Sequence, residues 1–304
     1  MITRFFTKKP KDYSAQKESL QSAKVRERLS LAKDAKTNKE ILYYLADQVP
    51  DPKVRRAVAQ NKAMPMHVST ILAADQDTDV RIALAKRLTD LLPDVSHDKQ
   101  SQLYAFTVQA LGTLALDEVL KVRLALSSTL KDHAHAPPKV AGQLARDVER
   151  EVSEPILRFC AALSDHDLLD ILKSHPATWV IAAIARRDTV SEQVSRAVID
   201  VEDIQGGKAL IENDGASLTD VVLQLIVEKA REFPEWQKPM AVRKSLPPHI
   251  ATQMAEFVEA SVRDLLMLRG DFDAETSEEI SEVFRRRLDF ASQNDELKIK
   301  AITD

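Results

Sequence analysis

The sequence predicts an all-α fold in which helix pairs stack into a right-handed α-solenoid, and three observations predict it. One phrase of apolar and small residues recurs along the chain. Few segments suggest strands. Only 6 of the 304 residues are glycine. At an average usage of roughly 7%, a chain this long would carry about 21 glycines. Hairpin-rich sheets and phosphate-cradling loops need residues at positive φ, which glycine supplies without steric cost. Those folds are therefore disfavoured. The 44% hydrophobic content is ordinary for a chain that folds. A single core stops growing near ~250–300 residues, so the chain forms one elongated body or two domains.

The recurring phrase is Asp51-Pro52-Lys53-Val54-Arg55-Arg56-Ala57-Val58-Ala59, followed by Asp77-Thr78-Asp79-Val80-Arg81-Ile82-Ala83-Leu84-Ala85. Val122-Arg123-Leu124-Ala125-Leu126 and Glu154-Pro155-Ile156-Leu157-Arg158 continue it, and Val25-Arg26-Glu27-Arg28-Leu29 is a weak early copy. Apolar residues fall at helical spacing within it (Val54, Ala57, Val58). Asp or Pro opens it, and Pro is tolerated only in a helix's first turn. A second phrase follows, Asn61-Lys62-Ala63-Met64-Pro65, and a similar frame returns around residues 187, 213 and 243. It places Asn61, Arg187, Asn213 and Arg243 in one column, and Pro65, Ser191, Ser217 and Pro247 in another where a second helix starts. Thr37-x-x-Glu40 and Thr189-x-x-Glu192 read as capping boxes, which satisfy orphan N–H groups at a helix start. One such helix pair cannot bury its own apolar face, so neighbours must stack.

Taken in order, residues 1–20 form a basic tail or first helix, and residues 1–30 carry a net charge of +5. Phe5 and Phe6 beside Arg4, Lys8 and Lys9 suit a weak membrane-surface contact. Residues 21–170 hold the first set of repeats, with Leu103–Leu111 as an added helix. Residues 171–270 hold the second set, where Ile204-Gln205-Gly206-Gly207 and Asn213-Asp214-Gly215 read as turns between units. Residues 271–304 form an amphipathic helix with the stripe Ile280, Val283, Phe284 and Leu288, then an acidic tail. The whole comprises about eight irregular helix pairs closed by that C-terminal capping helix.

Val54-Arg55-x-Ala57-Val58-Ala59-x-Asn61-x-x-x-Pro65 resembles the leucine-rich-repeat-variant pattern, a relative of HEAT-type repeats. Over residues 20–270 the chain also resembles an alphaproteobacterial family of unknown function (domain of unknown function 2336). The phrases behind this are Ile184-Ala185-Arg186-Arg187, Leu246-Pro247-Pro248-His249-Ile250 and Phe257-Val258-Glu259-Ala260-Ser261-Val262-Arg263-Asp264-Leu265-Leu266. The resemblance implies a HEAT-like helical superhelix with no assigned enzyme activity. One leucine-rich-repeat-variant type carries a cysteine-bound iron–sulfur module. This chain lacks those cysteines, so no such cluster carries over.

No catalytic constellation emerges from the residues. Gly207-Lys208 has Glu202 where a phosphate loop requires its first glycine, and Cys-x-x-Cys, His-Glu-x-x-His and Gly-x-Ser-x-Gly are all absent. The single cysteine, Cys160, sits in an apolar helical run and reads as a buried inert thiol. One cysteine excludes an internal disulfide, which fits a reducing cytoplasm. His133-Ala134-His135 is an isolated pair, and a metal site needs further ligands. No cofactor and no metal are expected. No apolar run reaches 18 residues, so no transmembrane segment is expected.

Arg55, Arg81, Arg123 and Arg158 suggest an anion-binding ladder. Asp51, Asp77 and Glu154 lie four residues ahead of three of them, however, so surface or inter-repeat pairing is the expected role, and Arg123 alone lacks the local acid. The column Asn61, Arg187, Asn213 and Arg243 reads as helix C-capping or as a polar stripe that holds a peptide. Trp236, bracketed by Pro234 and Pro239, is either an exposed contact or a loop anchor. Arg285-Arg286-Arg287 lies among acids and reads as a solvated face. The candidate partner-binding residues are thus Asn61, Arg187, Asn213, Arg243, Trp236 and Arg123. The expected function is a non-catalytic protein–protein interaction scaffold of bacterial type, cytoplasmic, binding a protein or peptide on a solenoid face. The competing expectation is a nucleic-acid-binding HEAT-like protein of DNA-repair-glycosylase type, with a basic groove of Arg186, Arg187, Lys208, Arg231 and Arg243. The net charge of −4 argues against it.

Overall fold

A computed structural model describes residue 20 and residues 24–303, with side chains through residue 290. The contact expected of Phe5 and Phe6, and the tail at residues 1–19, lie outside the described residues. So do the side chains of the acidic tail. Among the described residues the fold is all-helical, and the nearest approach to a sheet is one isolated bridge between Val190 and Ala216. Contacts divide the chain into two units, Met1–Ser164 and Asp165–Asp304.

Unit 1 contains α1 (Val25–Lys33), α2 (Lys39–Asp47), α3 (Pro52–Gln60), α4 (Val68–Ala73), α5 (Thr78–Val95), α6 (Gln102–Ala115), α7 (Leu120–Leu130), α8 (Pro138–Ala145) and α9 (Arg150–Phe159). Helices two apart touch, so α1, α3, α5, α7 and α9 form one row and α2, α4, α6 and α8 another. The helix at Leu103–Leu111 is therefore α6, a regular member of its row.

Unit 2 contains α10 (Asp165–Lys173), α11 (Thr178–Ala185), α12 (Glu192–Asp200), α13 (Ile204–Ile211), α14 (Asp220–Lys229), a 3-10 turn at Pro234–Trp236, α15 (Gln237–Val242), α16 (Pro248–Ala255), α17 (Ala260–Met267) and α18 (Ala274–Thr303). Its rows are α11, α13, α15, α17 and α10, α12, α14, α16, α18.

Local chemistry explains the helix starts. Asp51 caps α3 by accepting the N–H of Lys53, with Pro52 in the first turn, and Asp77 caps α5 by accepting from Asp79 and Val80. Such caps are worth about 1 kcal/mol. Val54, Ala57 and Val58 are buried between the rows, as are Val80, Leu84 and Val122. Small residues recur there because helices packed on two sides need close approach.

Four sequence expectations need correction. Neither capping box forms: Asn38 caps α2, and Ser191 caps α12. Thr37 instead donates its buried hydroxyl to the carbonyl of Leu31. Pro155 does not open a helix, because α9 starts at Arg150 and runs through it. Gly206 and Gly207 are not turns; they lie in the first half of α13. No described glycine has positive φ, and close approach accounts for this pair. A Cβ on Gly206 would lie 2.3 Å from Ile181, and one on Gly207 2.2 Å from the Trp236 ring. The terminal helix α18 begins near the expected place but extends to Thr303. Its Ile280 and Phe284 are buried, whereas Leu288 is exposed.

Candidate functional site

Arginines and aspartates of unit 1 form a ladder between successive helices of one row. Arg55 on α3 grips Asp75 through Nε at 2.6 Å and Nη2 at 2.9 Å, and donates Nη1 to the carbonyls of Val49 and Pro50. Arg81 on α5 holds Asp117 at 2.5 and 3.1 Å and the carbonyl of Asp75 at 2.5 Å. Arg123 on α7 holds Asp147 at 2.6 and 3.4 Å and the carbonyl of Asp117 at 2.7 Å. Each aspartate also accepts the N–H two residues on, from Asp77, Val119 or Glu149. The hydrogen bond to Asp75 is the main reason Arg55 holds its proton even more firmly than usual. These are two-pronged pairs with little solvent access, the strong class of ionic hydrogen bond.

The ladder corrects the expected pairing. Asp51 and Asp77 cap helices, and the partners of Arg55 and Arg81 come from the next repeat. Arg158 is no rung: Ser153 occupies the matching turn of α9, and Arg158 stacks over Phe159 at 4.9 Å. The aspartates 75, 117 and 147 were missed in the sequence. Their signal is spacing, since Asp75 and Asp117 each stand six residues before a ladder arginine.

Three members of the predicted column, Asn61, Asn213 and Arg243, do cap helices, but the helices of the preceding repeat. The amide of Asn61 donates to the carbonyls of Ala32 and Asp34, at the end of α1. That of Asn213 donates to Ala185 and Arg187, at the end of α11. Arg243 reaches Ile211, Asn213 and Ala216 after α13. Arg269, which sequence reasoning missed, reaches Ala241 and Arg243 after α15. These donors satisfy carbonyls that a helix end leaves unbonded. Burial weakens the hold of Arg243 on its proton, with Asp214 opposing. Asn61, Arg187 and Arg243 are all buried.

Trp236 is 0% exposed. It stacks on Phe233 at 4.7 Å between ring centres and donates its indole N–H to the carbonyl of Ile204. The exposed-contact alternative is thereby corrected: this ring anchors the loop against Gly207. Of the expected basic groove, Lys208 pairs with Glu212 and Arg231 with Glu256. Of the arginine triplet, Arg287 donates to the carbonyls of Ala255 and Val258, and Arg286 lies 3.9 Å from Glu282.

The accessible features of unit 2 lie elsewhere. A groove of about 910 Å³ runs between α15 and α17, lined by Lys238, Pro239, Val242, Val262 and Leu265, with Glu235 and Glu259 on its margins. A shallower hollow of about 470 Å³ continues past Val242 and Leu265 to Leu268. Val242 is 60% exposed and Leu268 81% exposed, so the floor presents apolar surface that the fold leaves uncovered.

Among the described residues no group of three His, Cys, Asp or Glu side chains is placed to hold a metal ion, and Cys160 is buried and in no disulfide. No described helix is long and apolar enough to cross a membrane. No curated protein matches the chain. Residues 152–302, spanning most of α9 and nearly all of unit 2, match the family model described as an uncharacterised protein conserved in bacteria (DUF2336), so this part of the chain is similar to a bacterial family of unknown function.

Proposed function

We propose that the protein is a non-catalytic interaction scaffold of bacterial type. Each unit is a HEAT-like α-solenoid, and a protein or peptide docks on a helical face. The single observation that carries this reading is the groove between α15 and α17. Its floor holds exposed Val242 and half-buried Leu265, the hollow that continues from it adds exposed Leu268, and charged residues of both signs line the groove. Uncovered apolar surface rimmed by polar groups marks interaction sites. An amphipathic segment laid along the groove would bury Val242 and Leu268 and leave its polar side to the rim. The fasteners described above support the same reading. They occupy the conspicuous polar residues of the repeats with internal bonds, which leaves recognition to the groove.

Affinity capture followed by mass spectrometry tests it. Wild-type protein is expected to retain a defined partner from cytoplasmic extract, and Val242→Asp is expected to lose it. Val242 is exposed, so the variant folds, as circular dichroism would verify. Capture that is indifferent to Val242→Asp, or that returns only nucleic acid, contradicts the proposal.

A further inference from the structure

The fold of unit 1 brings His97 to two imidazoles of a later loop, His133 and His135. His97 follows the end of α5, and His133 and His135 lie in the loop from α7 to α8. Ring centres are 6.3 Å apart for His97 and His135, and 6.2 Å for His133 and His135. The ring of His133 is also built into the loop. Its Nδ1 accepts the backbone N–H of His135 at 3.4 Å, and its own carbonyl accepts the N–H of Ala136 at 3.1 Å. An imidazole nitrogen accepts only while unprotonated, so this hydrogen bond requires neutral His133. On acidification the same nitrogen becomes a donor pointed at a donor.

We propose that His97, His133 and His135 form a proton-sensitive latch that holds the α7–α8 loop closed when neutral and releases it when protonated. Two effects act together. Protonation of His133 removes the acceptor that fixes the backbone of His135. A charge on His133 is also disfavoured by its neighbour His135, whose ring centre lies 6.2 Å away. The charged groups at this loop include Asp90 of α5, which favours the charged form of His133, and half-buried Lys131 paired with exposed Asp132 at 3.7 Å; Asp98 and Lys99 follow His97 in the chain. Partial burial, followed by the charge of His135, outweighs Asp90 and holds His133 below the ordinary histidine range. The direction of the effect follows. The unfolded chain binds this proton more readily than the folded one. The latch's stabilisation is therefore complete above the unfolded histidine value, about 6.5, and is lost as pH falls through the lower folded value. A metal role fits less well, because Nδ1 of His133 already faces a donor and no metal-holding group is present among the described residues.

Titration of the full-length chain by NMR tests the latch, reading the imidazole of His133 and the hydrogen-exchange protection of the His135 and Ala136 amides. His133 is expected to titrate below an ordinary histidine. Protection of the two amides is expected to fall at least several-fold between pH 7.5 and 5. In His133→Asn the side-chain oxygen replaces Nδ1 as a pH-independent acceptor, and protection is expected to stay level. In His135→Asn the midpoint of His133 is expected to rise. The proposal is overturned if His133 titrates at or above the ordinary value, if wild-type protection is level across this range, or if His133→Asn loses protection as the wild type does.

Discussion

A single arginine in unit 1 does three jobs. Arg81 bonds a carboxylate of the next repeat, bonds the carbonyl of Asp75 in the turn before its own helix, and is buried with its partner Asp117. Removing one member of such a pair leaves the other charge buried and uncompensated, at a cost of about 3–5 kcal/mol. Arg81→Ala is thus expected to lower the urea midpoint sharply. The double variant Arg81→Leu, Asp117→Leu is expected to recover much of the loss, because an apolar replacement of both partners leaves no unpaired charge. Arg56→Ala is expected to change stability by under about 1 kcal/mol, since its pair with Asp79 is half-exposed. A midpoint for Arg81→Ala equal to that of Arg56→Ala would sink the ladder's structural role. The arginines were legible in the sequence because they recur with an apolar frame. Their partners were not, because the pairs join residues 20, 36 and 24 positions apart. Nearer acids at i−4 looked equally suited and are used as caps.

At the scale of the element, packing overrides local signals. Gly206 and Gly207 resemble a turn on paper, and in the fold they lie within α13, where Ile181 and Trp236 leave no room for a Cβ. Gly207→Ala sets a methyl group into the Trp236 ring. It is expected to cost about 1–3 kcal/mol, as overpacking does, and to change the emission of Trp236 in the native state. Unchanged stability and emission would show that the cleft has room. The helix starts at Asp51, Asp77 and Ser191 were readable, since a side-chain acceptor beside an apolar run has one favourable use. Thr37 and Thr189 misled because a better-placed acceptor, Asn38 or Ser191, stands one or two residues on. Pro155 misled because α9 tolerates an interior proline, which lacks the N–H that an α-helix requires at that position. The two-row packing holds the helix around it.

For the molecule as a whole, the all-helical character followed from periodicity and scarce glycine. The sequence divides the two sets of repeats between residues 170 and 171, and the contacts divide the chain between Ser164 and Asp165. The Arg–Asp ladder runs through α3, α5 and α7 of unit 1, while capping of carbonyls across repeats occurs in both units, by Asn61 in the first and by Asn213, Arg243 and Arg269 in the second. A fragment of residues 165–304 is expected to be helical and to unfold in one cooperative urea transition, since its two rows enclose their own core. A broad, non-cooperative transition would contradict that. The groove itself could not be read from the sequence. Val242, Leu265 and Leu268 sit among apolar residues that are buried, and only packing shows which are left outside. The most direct measurement is photo-crosslinking in living cells from a reactive amino acid placed at position 242, with position 82 on α5 as a control. The scaffold account predicts one discrete protein adduct at 242 and none at 82; no adduct at 242, or one carrying nucleic acid, would contradict it.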